Sequence, residues 1–171
     1  MPAGVSASMQ GSVLTVKGPK GSAIRDFRNT LAHISLEGQK VMITFKRDSK
    51  RERKNVGSFR AHLNNLIKGV QEPHQYRLKI CSGHFPMNVA VVNKELVIKN
   101  FFGEKTPRKV TLRPEVTVKI EGQEIILESA DKEAVSTLAG AIEQATRRPG
   151  FDRRVFQDGI YITSKAGRDV K

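Results

Sequence analysis

The residues best suited to chemistry are four arginines near the end of the chain. They fall within the stretch RRPGFDRR at 147–154. A guanidinium group is planar and donates paired hydrogen bonds, so it can bind two phosphate oxygens at once or lie flat on a nucleobase. The pattern predicts a phosphate-binding surface that contains Arg147, Arg148, Arg153 and Arg154. The alternative is a group of arginines that only contacts solvent where a helix ends.

The residues that follow should hold this segment in place. Pro149–Gly150 turn the chain, and Ile160 and Ile162 belong to a short apolar run that is expected to pack on a core. Gln157 and Tyr161 are near the arginines in sequence and could contact sugar hydroxyls. We therefore predict that both belong to the same binding surface.

Two further basic clusters are candidates. Lys105, Arg108 and Lys109 are predicted to bind phosphate, and the nearby pair Phe101–Phe102 could stack on unpaired bases. Since buried phenylalanine is commoner, we expect the two rings to pack internally. The run KRDSKRERK at 46–54 holds six basic residues and is expected to form an exposed loop that extends into a helix start. Phosphate contact and a solvated face both remain open for this run.

No group of residues has the pattern of a catalytic or metal site. GPKGSA at 18–23 lacks both the Walker spacing and GxGxxG, so it predicts a tight turn. The four histidines lack the i, i+4 spacing of a zinc-binding helix, and Cys81 is alone. Acidic pairs at 121/124 and 131/133 are explained by a turn and by a helix start. The chain is predicted not to be an enzyme and to need no metal or cofactor.

An internal repeat organises the chain. ISLEGQKVMITF at 34–45 and VKIEGQEIILES at 118–129 share the tripeptide Glu-Gly-Gln between two arms of alternating apolar residues. Period-two alternation is typical of half-buried strands, and glycine suits the turn, so both segments are predicted to be hairpins. A further strand precedes each hairpin, in 11–21 and in 95–105.

A helix is predicted after each hairpin. Apolar residues recur at helical spacing in two sets. These are Phe59, Leu63, Leu66 and Ile67 in the first copy, and Val135, Leu138, Ala139 and Ile142 in the second. Gly69 is expected to end the first helix. We predict an α+β protein with two duplicated domains, 1–82 and 83–171, each a small antiparallel sheet packed with one helix, the second carrying a basic tail.

The charge of the chain points to a polyanionic partner. Lys and Arg number 30 against 17 Asp and Glu, which gives a net charge of +13 and a pI near 10.2. Residues 1–85 hold 15 basic and 5 acidic residues, and residues 86–171 hold 15 and 12. Nucleic acid is the leading partner class, because each neutralised phosphate releases counterions. No apolar run approaches the ~20 residues of a membrane span and no secretory leader is apparent, so we expect no membrane partner and a cytoplasmic location.

Three segments resemble the family of the large-subunit ribosomal protein numbered six in bacteria and nine in eukaryotes. They are YRLKICSGHFPMNV at 76–89, IKNFFGEKTPRKVTLRP at 98–114 and RRVFQDGIYI at 153–162. They look like the archaeal and eukaryotic branch, and the tail lacks the bacterial Pro-Tyr-Lys-Gly-Lys-Gly pattern. The chain departs from the family in ending soon after the GIYIT segment and in having Pro107 in the GEK loop.

The resemblance implies two duplicated α+β domains and a structural role in the large ribosomal subunit. It implies binding to large-subunit ribosomal RNA near the sarcin-ricin stem-loop, beside neighbouring ribosomal proteins and the landing site of the translational GTPases. Two alternatives rest on the same basic surface. One is a stand-alone RNA-processing or RNA-modifying protein, and the other is a free protein-interaction module.

Overall fold

Two compact units are present in the computed structural model, which describes residues 2, 4–29, 31–38, 40–45, 47–152 and 154–170. The first unit comprises residues 1–73 with 130–132, and the second comprises 74–129 with 133–171. Each unit combines antiparallel strands with a helix. The predicted α+β class with a duplicated domain is confirmed.

The first unit is built from short strands and a long helix. Its described elements are β1 (Ser6–Gln10), β2 (Val13–Gly18), β3 (Gly21–Asp26), β4 (Ala32–Glu37), β5 (Lys40–Phe45) and α1 (Lys50–Gln71). Strands β1, β2 and β3 form one antiparallel sheet, and β4 pairs with β5 in a two-stranded sheet. Leu14 and Val16 of β2 are fully buried, because alternate residues of a strand face the same side. They share a core with Phe59, Leu63 and Leu66 of α1.

Local side chains determine where α1 begins. The Glu52 amide donates to Ser49 Oγ at 3.3 Å, and the Ser49 amide donates to Glu52 Oε2 at 3.1 Å, which is a capping box. The basic run therefore divides between a loop and the first turn of α1, and Lys46 lies outside the described residues. The prediction that Gly69 ends the helix is wrong. The helix ends at Gln71, since Pro73 favours an extended backbone at Glu72.

The second unit contains the larger sheet. Its described strands are β6 (His74–Cys81), β7 (Asn88–Val92), β8 (Glu95–Lys99), β9 (Arg108–Thr111), β10 (Thr117–Glu121), β11 (Glu124–Ser129), β12 (Gly159–Lys165) and β13 (Arg168–Asp169), with a short turn at Phe101–Gly103 and α2 (Lys132–Ala145). The strand orders are β10-β11-β6-β12-β13 and β7-β8-β9. Leu78, Ile125, Leu127, Ile142 and Ile160 are fully buried between the strands and α2.

The two predicted hairpins have the same register. Glu37 is opposite Lys40 in the first copy, and Glu121 is opposite Glu124 in the second. Gly38 and Gly122 have φ angles of 59° and 60°, which a glycine adopts without strain. The shared tripeptide thus marks two equivalent turns.

The boundary between the units differs from the one predicted after residue 82. Strand β6 pairs with β11 on one side and with β12 on the other, so it lies at the centre of the second sheet. The second unit accordingly begins at His74. Tyr76, Leu78 and Ile80 of β6 face the core of the second unit.

Candidate nucleic-acid interface

Three loops of the second unit bring most of the predicted site residues together. They follow β6 at 82–87, β8 at 100–107 and α2 at 146–158. These loops contribute His84, Phe102, Phe151 and Phe156, whose neighbouring ring centroids are 5.0 to 6.4 Å apart. We call these four residues the aromatic cluster. Arg147 and Arg148 lie beside it.

Arg148 is stacked on the aromatic cluster. Its guanidinium carbon lies 4.2 Å from the Phe151 ring centroid and 4.9 Å from that of Phe102. A guanidinium over an aromatic face is stabilised by the ring quadrupole, and it can still donate hydrogen bonds from its edge. The side chain is therefore restrained before any ligand binds. It remains partly accessible.

The backbone around Phe102 is held in a strained conformation. Phe102 has φ 49° and ψ 33°, a region that bulky residues seldom adopt. Its ring packs at 4.8 Å against the buried Phe101. Asn100, two residues earlier, is also left-handed and donates from Nδ2 to the Pro86 carbonyl at 3.0 Å. Such strain costs about 1–3 kcal/mol, so the surrounding packing must maintain it.

Arg108 has internal partners. Its Nε and Nη2 donate to both carboxylate oxygens of Glu104, at 2.8 and 2.7 Å. Its Nη1 donates to the Ala145 carbonyl at 2.7 Å and to the Arg147 carbonyl at 3.3 Å. The guanidinium carbon is 4.3 Å from the Phe101 centroid. Arg108 thus ties the 100–107 loop to the end of α2, which is a structural role, and the phosphate contact predicted for it stays a prediction.

The ion pair between Arg108 and Glu104 also changes the pKa of the Glu104 carboxyl group. The hydrogen bonds from Arg108 hold the pKa of Glu104 below its usual value, and the positive charge of Arg148 acts in the same direction. The neighbouring arginines therefore favour the ionised form of Glu104. Its negative charge lies beside Arg108 and Arg148, where it can fix their positions.

Asp158 joins the tail to the loop after β6. Its side chain is 1% exposed and accepts hydrogen bonds from the backbone amide of Gly83, from the His84 amide at 3.2 Å and from His84 Nδ1 at 3.2 Å. A buried carboxylate needs such donors to offset its desolvation. This contact fixes His84 beside Phe156 and Phe102 in the aromatic cluster.

A second set of bonds fixes the tail on α2. Thr146 Oγ1 accepts from the Ile160 amide at 2.9 Å and donates to the Glu143 carbonyl at 3.1 Å. The Ile162 amide donates to Glu143 Oε1 at 3.3 Å. Ile160 is fully buried and Ile162 packs partly buried against the same core, as predicted. The loop at 146–158 is therefore tied to the core at both ends.

The other described arginines of this loop are exposed. Arg147 is exposed, and the Arg154 side chain is 90% exposed with an ion pair of 2.9 Å to Asp152. Hydrogen bonds from the Arg154 side chain and backbone lower the pKa of Asp152. Phosphate would therefore compete with Asp152 for Arg154. Arg153 lies outside the described residues.

The other predicted residues have different surroundings. Tyr161 lines a shallow depression of about 200 Å³ together with Arg147, Arg148 and the phenylalanines of the aromatic cluster. Gln157 is exposed and donates to the Arg154 carbonyl at 3.4 Å. Lys109 lies on β9 in an ion pair of 3.2 Å with Glu95 of β8, and Lys105 is exposed. The loops thus bring Tyr161 beside Arg147 and Arg148, while Lys109 has a partner on a neighbouring strand.

Sequence reasoning missed the residues that support the arginines. Asp158, Thr146 and Glu104 each form contacts between segments that are distant in sequence or cross a turn. Phe151 and Phe156 are isolated aromatic residues in a polar segment, which could have indicated packing. No local pattern marks Asp158 or Thr146, because their partners lie 75 and 14 positions away.

The arrangement defines a class of protein. It is a duplicated α+β protein with a rigid cationic surface, and among the described residues no group of three or more His, Cys, Asp or Glu is placed to hold a metal. Neither of the helices in the described part of the chain is long and apolar enough to cross a membrane.

Comparison with known proteins identifies the family. The family model described as ribosomal protein L6 matches residues 1–73 and 85–159. The chain therefore belongs to the ribosomal protein L6 family, a family of structural and non-enzymatic proteins of the large ribosomal subunit. The alternative of an RNA-processing enzyme is thereby excluded.

Archaeal relatives agree with this assignment. The large ribosomal subunit protein uL6 of Methanosarcina mazei is 43% identical over 97% of this chain and 94% of its own length. The proteins of the same name from Ignicoccus hospitalis and Nanoarchaeum equitans are 42% and 38% identical, over 96% and 99% of this chain and 91% and 93% of their own lengths. The predicted archaeal and eukaryotic branch of the family is confirmed, and these relatives are all archaeal.

Proposed function

We propose that the second unit binds large-subunit ribosomal RNA through Arg147, Arg148, Arg154 and the rim of the aromatic cluster. The RNA segment is the region of the sarcin-ricin stem-loop, and the bound chain supports the surface on which translational GTPases act, next to other ribosomal proteins. The family resemblance supports this location, and the geometry of the site supports the proposed contacts.

The stacked Arg148 is the observation that carries the proposal. Ordering a long side chain on binding costs conformational entropy, and two aromatic faces already restrain this guanidinium. Exposed Arg147 and Arg154 flank it in sequence. Three cations on one anchored loop can neutralise adjacent phosphates, and Arg148 can also meet a base edge.

Charge alone would give weak selectivity, so the rigid backbone matters. The loop is held by Asp158 at one end and by Thr146 at the other. A fixed arrangement of donors favours one spacing of phosphates over others. We therefore expect the chain to prefer its folded stem-loop over a plain RNA duplex of the same length.

Salt dependence of RNA binding tests the proposal. The probe is a transcript of the sarcin-ricin region, bound to the full chain across a range of salt concentrations. Replacing Arg147, Arg148 and Arg154 by alanine should lower the magnitude of the salt slope by roughly 2–3, since each phosphate contact contributes about 0.7–0.9.

A matched variant controls for net charge. Lys50, Arg51 and Lys54 of α1 are exposed, and replacing them by alanine removes the same formal charge from the first unit. This control should leave the slope within about 1 of the wild-type value. If the first-unit variant lowers the slope as much as the second-unit variant does, the proposed surface is wrong.

A further inference from the structure

The repeat reveals an unfilled position in the first unit. Aligning the two Glu-Gly-Gln turns makes Val41 of β5 equivalent to Ile125 of β11, and Ile43 equivalent to Leu127. In the second unit, β11 has a strand on each side, β10 and β6. In the first unit β5 pairs only with β4 in the part of the chain that is described. Among the described residues, no strand lies at the outer edge of β5, where its copy has one.

Burial confirms the difference between the copies. Ile125 and Leu127 are both 0% exposed, because they lie opposite Leu78 and Tyr76 of β6. Their counterparts Val41 and Ile43 are only half-buried. The first copy therefore leaves on its surface the apolar side chains that the second copy covers.

The uncovered position is a groove between β5 and α1. It has a volume of about 560 Å³, and its apolar floor comprises Val41, Ile43, Leu63 and Ile67. Phe45, which continues the inward row of β5, is 43% exposed. A sheet edge beside an apolar groove is the arrangement that accepts an added strand, with backbone hydrogen bonds for affinity and alternate side chains for specificity.

The backbone of β5 is suited to such pairing. A two-residue turn joins Glu37 to Lys40, so these two residues exchange hydrogen bonds across the hairpin. By alternation, the amide and carbonyl groups of Val41 and Ile43 point away from β4. No backbone hydrogen bond from these residues to an outer neighbour exists within the described residues. These are the groups that the equivalent residues of β11 direct at β6.

The charge of the rim selects the occupant. Lys40 and Arg60 are exposed at the groove, and none of its described lining residues is acidic. Residues 1–73 hold 13 basic and 5 acidic residues, so a second copy of this unit would be repelled. An apolar floor does not suit an RNA backbone. An extended peptide with acidic residues between apolar ones complements both the apolar floor and the basic residues Lys40 and Arg60.

We propose that the outer edge of β5 binds an extended polypeptide segment from outside residues 1–171, in which apolar side chains alternate with acidic ones. This partner strand lies antiparallel to β5, as β6 lies on β11, and places two apolar side chains opposite Val41 and Ile43. The inference concerns the first unit alone. It does not depend on RNA binding by the second unit.

The test is a peptide-binding measurement on the full chain. The probe is a fluorescent peptide with the sequence of β6, His74–Cys81, carrying Arg77→Glu, Lys79→Glu and Cys81→Ser. A scrambled peptide of the same composition, without alternation, is its control. Fluorescence anisotropy measures affinity, and amide chemical shifts of the labelled protein locate the site. Binding of the alternating peptide with shifts at β5 is expected.

Two variants test the contacts. Val41→Pro removes an outward amide, which an edge strand tolerates, and should weaken binding by roughly tenfold or more. Arg60→Glu on the exposed face of α1 should weaken binding of the acidic peptide. It should strengthen binding of a peptide with the unmodified, basic sequence of β6. Ile24→Ser is the control, because it removes an exposed apolar residue outside the groove and should leave the affinity for the peptide unchanged.

Three results would overturn the proposal. One is equal affinity of the wild-type chain and both groove variants for the acidic peptide. Another is a set of shifts at β11 rather than β5, which would mean that the peptide displaces β6. The third is self-association of the chain through β5 in sedimentation experiments, which would make a second copy the occupant.

Discussion

Replacing Arg108 by lysine should destabilise the second unit although the charge is unchanged. Lysine can keep one contact with Glu104, but it cannot also reach the Ala145 and Arg147 carbonyls or stack on Phe101. A hydrogen bond to a charged group contributes about 1.5–3 kcal/mol, and the 27% exposure of this side chain argues for the lower end. Adding about 1 kcal/mol for the cation–π contact, we expect a loss of about 2–3 kcal/mol.

Hydrogen exchange in the second unit measures this loss. The Ile160 amide is a suitable probe, because it is buried and donates to Thr146 Oγ1 within the core of that unit. Its opening free energy should fall by the predicted amount in Arg108→Lys. Arg154→Lys is the control, since that side chain is 90% exposed and its pair with Asp152 should contribute less than about 1 kcal/mol.

The same variant separates two roles for Arg108. If Arg108 acts as an internal tie, Arg108→Lys folds less stably and retains the salt slope of RNA binding. An opening free energy within about 0.5 kcal/mol of wild type would refute the structural role. A normal stability together with Arg108→Ala lowering the slope by about 1 would restore the phosphate contact predicted from sequence.

Three further changes follow from individual contacts. Asp158→Asn places a side-chain amide against the donors of Gly83 and His84. The free energy of unfolding measured in urea should therefore fall by about 1–3 kcal/mol, and an unchanged midpoint would contradict the contact. Ser49→Ala removes the cap of α1 and should cost about 1 kcal/mol, seen as faster exchange in its first turn, whereas equal exchange would argue against the capping box. The lowered pKa of Glu104 means that it stabilises the fold above its unfolded value of about 4.3 and that this contribution is lost as pH falls through the folded pKa. Glu104→Gln should therefore flatten the acid limb of the stability profile, and an unaltered limb would exclude this pair.

Local patterns predicted the elements of the fold well. The tripeptide at 37–39 and 121–123 identified both hairpins, because a glycine turn between alternating arms has few other solutions. The two helices predicted from apolar spacing are also present, with Phe59 and Ile142 buried as expected. Strand pairing was harder. Alternation in β6 shows that one face is buried but does not show which strands lie beside it, so β6 was assigned to the wrong unit.

The site shows the same limit at the level of side chains. Arginine content indicated a polyanion-binding surface, yet it could not distinguish Arg148, which stacks and stays partly accessible, from Arg108, whose donors are used internally. That difference depends on Glu104 and on the end of α2, which are brought together only by folding. The buried Asp158 was overlooked for the same reason.

Crosslinking within assembled ribosomes reports directly whether the 146–158 loop contacts ribosomal RNA. Large subunits that contain this chain would be irradiated, and the peptides joined to ribosomal RNA identified by mass spectrometry. We expect the crosslinked positions to fall within 147–161, and the attached nucleotides to lie in the sarcin-ricin region. Crosslinks confined to the basic run at 46–54, with none in the 146–158 loop, would contradict the account.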